Sequence, residues 1–241
     1  MTDLHNHLLW GVDDGASTLA ESRSMLAAYA RLGYARIACS PHLFHPSFPP
    51  VDPESLQIRF RELAEVAQGM GLELILWGEH YLSAELVDAM EAGSGRLGLI
   101  HGRFLLIELG AFTNLQYFGN LSFRLQLARI TPVLAHPERY AQVERQWSQF
   151  QRIRECGCLF QLNAASLAGA EGSQVKQRAL RMIEEGLADL VSSDAHSAGD
   201  LERFVPSALA CVKGAFGAET VRRLFSLNPG RIAQGAVPSA G

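Results

Sequence analysis

Histidines and carboxylates recur along this chain at spacings that would let several of them share one ion. His5 and His7 stand two residues apart near the start. In an extended segment, residues so spaced project from one face, and both imidazoles can reach a single metal. Asp14 follows in Asp13-Asp14-Gly15, then His42 in Ser40-Pro41-His42, Glu79 in Gly78-Glu79-His80, Glu108, His136, and finally Asp194 and His196 in Ser193-Asp194-Ala195-His196. Imidazole with carboxylate suits zinc, manganese or iron, whereas soft metals prefer thiolate. These donors, roughly nine in all, exceed the four to six that one ion takes, so two or three divalent ions are implied. Each position alone has an ordinary explanation. A histidine after a strand is usually a polar loop residue, and Asp13-Asp14-Gly15 makes an adequate turn and helix cap. Glu108 says more, because a carboxylate on a buried apolar run is costly unless paired or metal-bound.

The elements that must position these residues follow from hydrophobic pattern. Short apolar runs predict strands over Arg36–Cys39, Leu72–Trp77, Phe104–Glu108, Thr131–Ala135, Cys158–Leu162 and Ala188–Ser192. Between them lie helical segments at Leu19–Leu32, Glu54–Met70, Leu115–Arg129, Gln142–Glu155 and Val175–Glu185. Gly33, Gly71, Gly157 and Gly186 fall where a left-handed helix cap is wanted. Such alternation argues for parallel strands covered by helices. The candidate donors sit just past the strands: His42 after Cys39, Glu79 after Trp77, Glu108 closing its own strand, His136 after Val133-Leu134, and Asp194 with His196 after Leu190-Val191. In a parallel barrel those ends converge on one rim, where residues remote in sequence share a site. No low-complexity linker divides the chain, so residues 1–241 are expected to form a single α/β domain. Pro46-Ser47-Phe48-Pro49-Pro50 is expected to be a loop, and Pro238-Ser239-Ala240-Gly241 a frayed tail.

The 241 residues are 48% hydrophobic and 19% charged, enough for a core without disulfides. A net charge of -4 gives no global attraction to nucleic acid or to an anionic membrane. No leader-like start and no long apolar run is evident, so membrane insertion is not expected. Cys39, Cys156, Cys158 and Cys211 form no framework of pairs, which suits the cytoplasm.

Taken together, His5-x-His7, Asp13-Asp14-Gly15, Ser40-Pro41-His42, Glu79, Glu108, Ala135-His136-Pro137-Glu138-Arg139-Tyr140 and Ser193-Asp194-Ala195-His196 resemble the PHP superfamily. Within it, they resemble the bacterial manganese-dependent protein-tyrosine phosphatases of capsule and exopolysaccharide synthesis. The resemblance runs from His5 through Asn228-Pro229-Gly230-Arg231. It implies a distorted (β/α)7 barrel with a trinuclear centre. Carried over, His5, His7, Glu108 and Asp194 would hold one ion, and Glu108 would bridge to a second, also bound by His136. Asp14, His42, Glu79 and His196 would surround the third. The implied substrate is the phosphotyrosine tail of a polysaccharide-synthesis kinase. Two departures stand out. Leu43 lies where the family often carries a histidine, with His45 beyond it, and Ser197 to Glu202 intervene before Arg203, where relatives place an arginine sooner.

The expected reaction is in-line attack on phosphorus by hydroxide, generated from a water whose pKa the metals lower. Arg139 is the candidate phosphate clamp, its planar fork matching two oxygens; the plain alternative is pairing with Glu138 or a helix end. Asp194 or His196 could also move the leaving-group proton. A cysteine-dependent tyrosine phosphatase is excluded, because His45, Leu162, Ala164 and Gly217 stand six positions beyond the four cysteines, where an arginine is required. Phe44, Phe48 and Tyr81 could line the rim against an aromatic substrate or merely pack the loops, and His80 and His101 are unassigned. The rival readings are a small-molecule phosphatase such as a histidinol-phosphate phosphatase, a nuclease of the same superfamily, and a metal-binding regulator without turnover.

Overall fold

The computed structural model describes residues 1–93, 98–110 and 113–238. The expected tail therefore lies outside the described residues from position 239 onward. Among the described residues, the strands that build the sheets all pair in parallel. One sheet runs β1 (Thr2–Asp3), β2 (Arg36–Cys39), β4 (Glu73–Leu76). The other runs β3 (His42–Leu43), β5 (Glu79–Tyr81), β6 (Phe104–Glu108), β7 (Thr131–Ala135), β8 (Leu159–Asn163), β9 (Leu190–Ser192).

Hydrogen bonds join the two sheets. β3 prolongs the path of β2 and β5 that of β4, with Trp77 N donating to Cys39 O at 2.8 Å and Glu79 N to Pro41 O at 3.0 Å. At the other side Asn6 bridges to Ala195, His7 N donates to Ala195 O at 3.0 Å, and Asp194 N donates to His5 O at 2.8 Å. The strands thus follow a closed, distorted (β/α)7 barrel, with the first strand path sealed against the last.

Alternation sorts each strand into an inner and an outer row. Leu4, Ala38, Trp77, Phe104, Leu106, Val133, Ala135, Leu159 and Leu190 form the apolar interior. Leu105, Ile107, Leu134, Phe160, Leu162 and Val191 face the helices in the larger apolar layer. Continuing the inner rows by two-residue steps leads from Ala38 to Ser40 and His42, from Trp77 to Glu79, and from Leu106 to Glu108. The same step leads from Leu159 to Gln161 and Asn163, and from Leu190 to Ser192 and Asp194. The barrel is greasy at its floor and polar at its mouth because of this.

The covering helices include α1 (Leu19–Arg31), α2 (Pro53–Gly69), α3 (Ala84–Glu91), α4 (Leu115–Leu127), α5 (Trp147–Glu155), α6 (Ala164–Ala168), α7 (Ser173–Glu184), α8 (Ala198–Arg222) and α9 (Asn228–Ala233). Side-chain caps start several of them: Thr18 accepts from Glu21 N, Asp52 from Ser55 N, Ser83 from Leu86 N and Ser197 from Asp200 N. Gly33 and Gly186 end α1 and α7 with φ of 78° and 70°. The helix expected from Gln142 begins only at Trp147, because residues 141–146 form successive turns, Val143 N donating to Tyr140 O and Gln146 N to Gln142 O. Among the described residues, no helix is long and apolar enough to cross a membrane.

Candidate metal centre

At the polar mouth of the barrel the hub is Glu79, whose side chain is 1% exposed. Its Oε2 lies 3.2 Å from His5 Nε2, 3.6 Å from His7 Nε2 and 3.2 Å from His42 Nδ1. Its Oε1 lies 3.1 Å from His136 Nε2. Asp194 Oδ1 is 3.3 Å from Nε2 of both His5 and His7. Toward solvent, Asp14 Oδ1 stands 3.5 Å from His196 Nε2 and 3.8 Å from His42 Nε2. Glu108 Oε1 is 2.5 Å from His45 Nε2 and 4.0 Å from His42 Nδ1, and Oε2 is 4.0 Å from His136 Nε2. The nine residues singled out from the sequence as ligands therefore occupy one site. Atoms able to ligate a metal approach within 4.8 Å in overlapping groups such as His5-His7-Asp194, His5-Glu79-His136 and His7-Asp14-His196.

The arrangement within the cluster differs from the one the resemblance implied. Glu79, not Glu108, sits among His5, His7 and His136. Strand register supplies the reason: Glu79 pairs with Leu106 and Tyr81 with Glu108. Glu108 is thus two residues, about 6–7 Å, nearer the opening than Glu79.

A surrounding layer orients these rings. His5 Nδ1 meets Gln161 Oε1 at 2.8 Å, and Gln161 Nε2 is committed as a donor to Leu162 O and Asn163 Oδ1. Gln161 Oε1 must accept, so His5 Nδ1 donates to it and Nε2 is the atom turned to Glu79 and Asp194. His7 Nδ1 meets Asp13 Oδ2 at 2.7 Å, and Asp13 also accepts from His42 N and Gly15 N. Asn163 Nδ2 donates to Asp194 Oδ2 at 2.5 Å. Asp13, Gln161 and Asn163 were not expected; the inner-row position of the last two was the available signal.

These donors fit divalent metal. His5 Nε2 and His42 Nδ1 are buried yet make no hydrogen bond, although a carboxylate oxygen stands 3.2 Å from each. Buried polar atoms left unpaired in this way are costly, and lone pairs aimed at a common centre are what a cation requires. Strain agrees: His136 and Asp194 hold positive φ of 36° and 51° at the ends of their strands, a conformation that costs a non-glycine residue about 1–3 kcal/mol.

The charges are strongly coupled. Burial would lower the His5 imidazole, but Glu79 and then Asp194 outweigh it and raise its pKa to about 9. Burial also opposes His7, which Asp13 and Asp194 lift well above its ordinary value. Burial dominates at His42 and lowers it to about 4. Against burial, His5 and His136 hold Glu79 well below the usual carboxylate range, and His5 and His7 lower Asp194. Glu108 is raised by burial and then by Glu79. The cluster is thus an anionic pocket whose protons a cation would displace.

Arg139 reaches the rim, its side chain 44% exposed, with Nη1 donating to Asp194 Oδ2 at 3.3 Å and Nε 3.0 Å from Glu171 Oε1. Glu138, suggested as a possible partner, instead accepts from Asn163 N. A cleft of about 320 Å³ opens beside the cluster, lined by Glu108, Leu109, His136, Arg139, Tyr140 and Ala141. Phe48 stacks on His42 with centroids 4.7 Å apart, Tyr81 meets His45 edge-on at 5.2 Å, and Phe44 is 57% exposed. His80 is buried, with Nδ1 2.9 Å from Gly78 O. His101 lies before β6, away from the mouth, with Nε2 3.0 Å from Ala233 O. Arg203 is exposed on α8, beside the ring of Phe204.

Comparison with known proteins agrees. The model of the capsular polysaccharide synthesis family CpsB/CapC matches residues 1–234. The tyrosine-protein phosphatase YwqE of Bacillus subtilis is 31% identical over 226 residues, covering 91% of this chain and 86% of YwqE. The tyrosine-protein phosphatase CpsB of Streptococcus pneumoniae is 26% identical over 239 residues, covering 96% and 98%. A crystal structure from the pair YwqE and CpsB, described as unique metal-dependent tyrosine phosphatases, has a TM-score of 0.90 at 27% identity, covering 100% of this chain and 97% of that one. A dihydropyrimidinase from Brevibacillus agri, at 12% identity and a TM-score of 0.61, shares the fold alone.

Proposed function

We propose that this chain, which belongs to the CpsB/CapC capsular polysaccharide synthesis family, is a metal-dependent protein-tyrosine phosphatase that hydrolyses its phosphomonoester by attack of water on phosphorus. The observation that carries the reading is the convergence of buried imidazoles and carboxylates on Glu79, with His5 Nε2 and His42 Nδ1 turned to it without a hydrogen bond. Residues 1–241 act as a single domain in this reading.

His5, His7, Asp14, His42, Glu79, Glu108, His136, Asp194 and His196 would hold two or three divalent ions, manganese first among those that N and O donors accept. Bound there, such ions supply water with a lowered pKa and neutralise charge on the phosphoryl oxygens. The protein's own groups do the rest. Gln161 and Asp13 fix the rings of His5 and His7, so the donors need no rearrangement when the site fills. Arg139 stands at the cleft with a fork shaped for two phosphate oxygens, which would draw it from Asp194 and Glu171. Return of a proton to the departing tyrosyl oxygen falls to His196 or Asp194, of which His196 suits better because its neighbours hold Asp194 ionised. The cleft beside Glu108 and Tyr140 takes the phenyl ring, with Phe44, Phe48 and Tyr81 around the opening. The protein substrate is the phosphotyrosine tail of a polysaccharide-synthesis kinase.

The test is hydrolysis of a phosphotyrosine peptide by metal-stripped protein, with and without Mn²⁺, beside His136→Ala. Activity should return with metal in the parent and stay at least a hundredfold lower in the variant. Rapid turnover of small phosphomonoesters, with none of the peptide, would instead make this a small-molecule phosphatase.

A further inference from the structure

One histidine beyond the nine expected ligands also reaches the centre, and its hydrogen bonds distinguish it from them. His45 Nε2 is 2.5 Å from Glu108 Oε1, its ring lies 4.7 Å from that of His42, and its side chain is 13% exposed. By proximity alone, His42, His45 and Glu108 would make another metal-binding triad. The second ring nitrogen says otherwise. At His5, His7 and His196 the Nδ1 faces an oxygen, namely Gln161 Oε1, Asp13 Oδ2 and Asp194 O, to which it donates. Their Nε2 atoms are thereby the ones turned to the carboxylates, and these can ligate once deprotonated. At His45 the polarity is reversed, because Nδ1 accepts from the backbone N–H of Ser47 at 3.1 Å. The proton of a neutral His45 ring then sits on Nε2, the atom 2.5 Å from Glu108 Oε1, so neither ring nitrogen offers a metal a free lone pair.

We infer that His45 is a positioning residue: its Nε2–H donates to Glu108 and aims that carboxylate's remaining lone pairs at the outer ion. This rests on the metal-centre reading above. The backbone is shaped for the contact. Leu43 is buried in the larger apolar layer, and Phe44 takes a left-handed φ of 55°. That conformation is strained for a bulky side chain, and it brings His45 round to the side of the chain that His42 faces. Phe48 N donates to His45 O at 3.2 Å and closes the turn. Glu108 has particular need of such a partner. Lying a two-residue step outside Glu79, it is 4.0 Å from both His42 and His136, and no side chain of the barrel interior hydrogen-bonds it among the described residues.

The experiment measures metal stoichiometry and affinity by titration calorimetry, and the visible absorption of the Co²⁺-loaded protein, for the parent, His45→Ala and His45→Gln. Gln keeps an N–H at the end of its side chain. The inference expects full stoichiometry in all three at saturation. His45→Ala should bind the weakest ion 10–100-fold less tightly, the range found when an orienting partner is lost, with an altered Co²⁺ spectrum, and His45→Gln should recover most of the loss. One ion missing at saturation from both variants would make His45 a ligand and overturn the inference. Unchanged affinity and spectrum in His45→Ala would overturn it as well. Failure of the parent itself to bind metal would strike the metal-centre reading instead.

Discussion

Removing metal should make this protein's stability fall with alkaline pH in a way the loaded protein does not share. The perturbation is a change from pH 6.5 to pH 9 in metal-free protein. His5 is wholly buried, and Glu79 and Asp194 raise it from 6.5 to about 9 against the opposing effect of burial. Between those values the folded chain holds a proton that the unfolded chain has released. Stability from this group is therefore complete below pH 6.5 and lost as pH rises to 9. The difference corresponds to roughly 3 kcal/mol, and His7, also raised, acts in the same direction. For a domain of this size each kcal/mol moves the melting temperature by about 2–4 °C, so the metal-free protein should melt about 6–12 °C lower at pH 9. Other buried groups do not mimic this. His42, lowered to about 4, has given its full contribution by pH 6.5, and Cys39, raised to about 12, matters only above pH 9. The Met1 amino group, lowered by burial, works in the opposite sense. Calorimetric melts at both pH values, with chelator and with Mn²⁺, provide the assay. A metal-free melting temperature that is flat or rises across this interval would refute the reasoning that an anionic cluster holds these protons.

Gly15→Ala should weaken metal binding without touching a ligand, because a Cβ at Gly15 would collide with the His7 carbonyl and push apart the Asp13–His7 contact. Overpacking of this kind costs about 1–3 kcal/mol, visible as a lower melting temperature together with poorer Mn²⁺ affinity by calorimetry; a variant that matches the parent in both would contradict it. Gln161→Leu removes the acceptor that holds His5 Nδ1 and should reduce metal affinity about 10–100-fold, whereas an unaltered titration would mean the ring is held by packing alone.

How much could be read from the chain alone varied with element length. Phe104–Glu108 and Thr131–Ala135 are strands at the expected bounds, because apolar runs of that length announce themselves. β8 ends one residue later than expected, at Asn163, whose inner-row amide holds Asp194. β1, β3 and β5 escaped because they are short and carry the polar site residues or their neighbours. α3 was also overlooked, and α8 with it, where Pro206 and the left-handed Gly217 interrupt the helical pattern. Which residues gather at the mouth was legible because most of them stand at or just past a strand. Depth was not: that Glu79 lies below Glu108 depends on register between β5 and β6, which no local pattern encodes. His45 stayed hidden because its approach to Glu108 depends on the backbone turn at Phe44.

The seam that seals the barrel also sets a timetable for the growing polypeptide. Asn6 pairs with Ala195, Asp194 N donates to His5 O, and Ser193 Oγ donates to Asp3 Oδ2 at 2.6 Å. The first imidazoles made must therefore wait for nearly the last strand. At about 5–20 residues per second, translation separates the two by roughly 10–40 s. During that interval His5 and His7 are exposed on an unsealed edge, without Asp194, so metal acquired early would be held by a partial set of donors. Completion of the last strand closes the wall and brings Asp194 to His5 and His7 in one event.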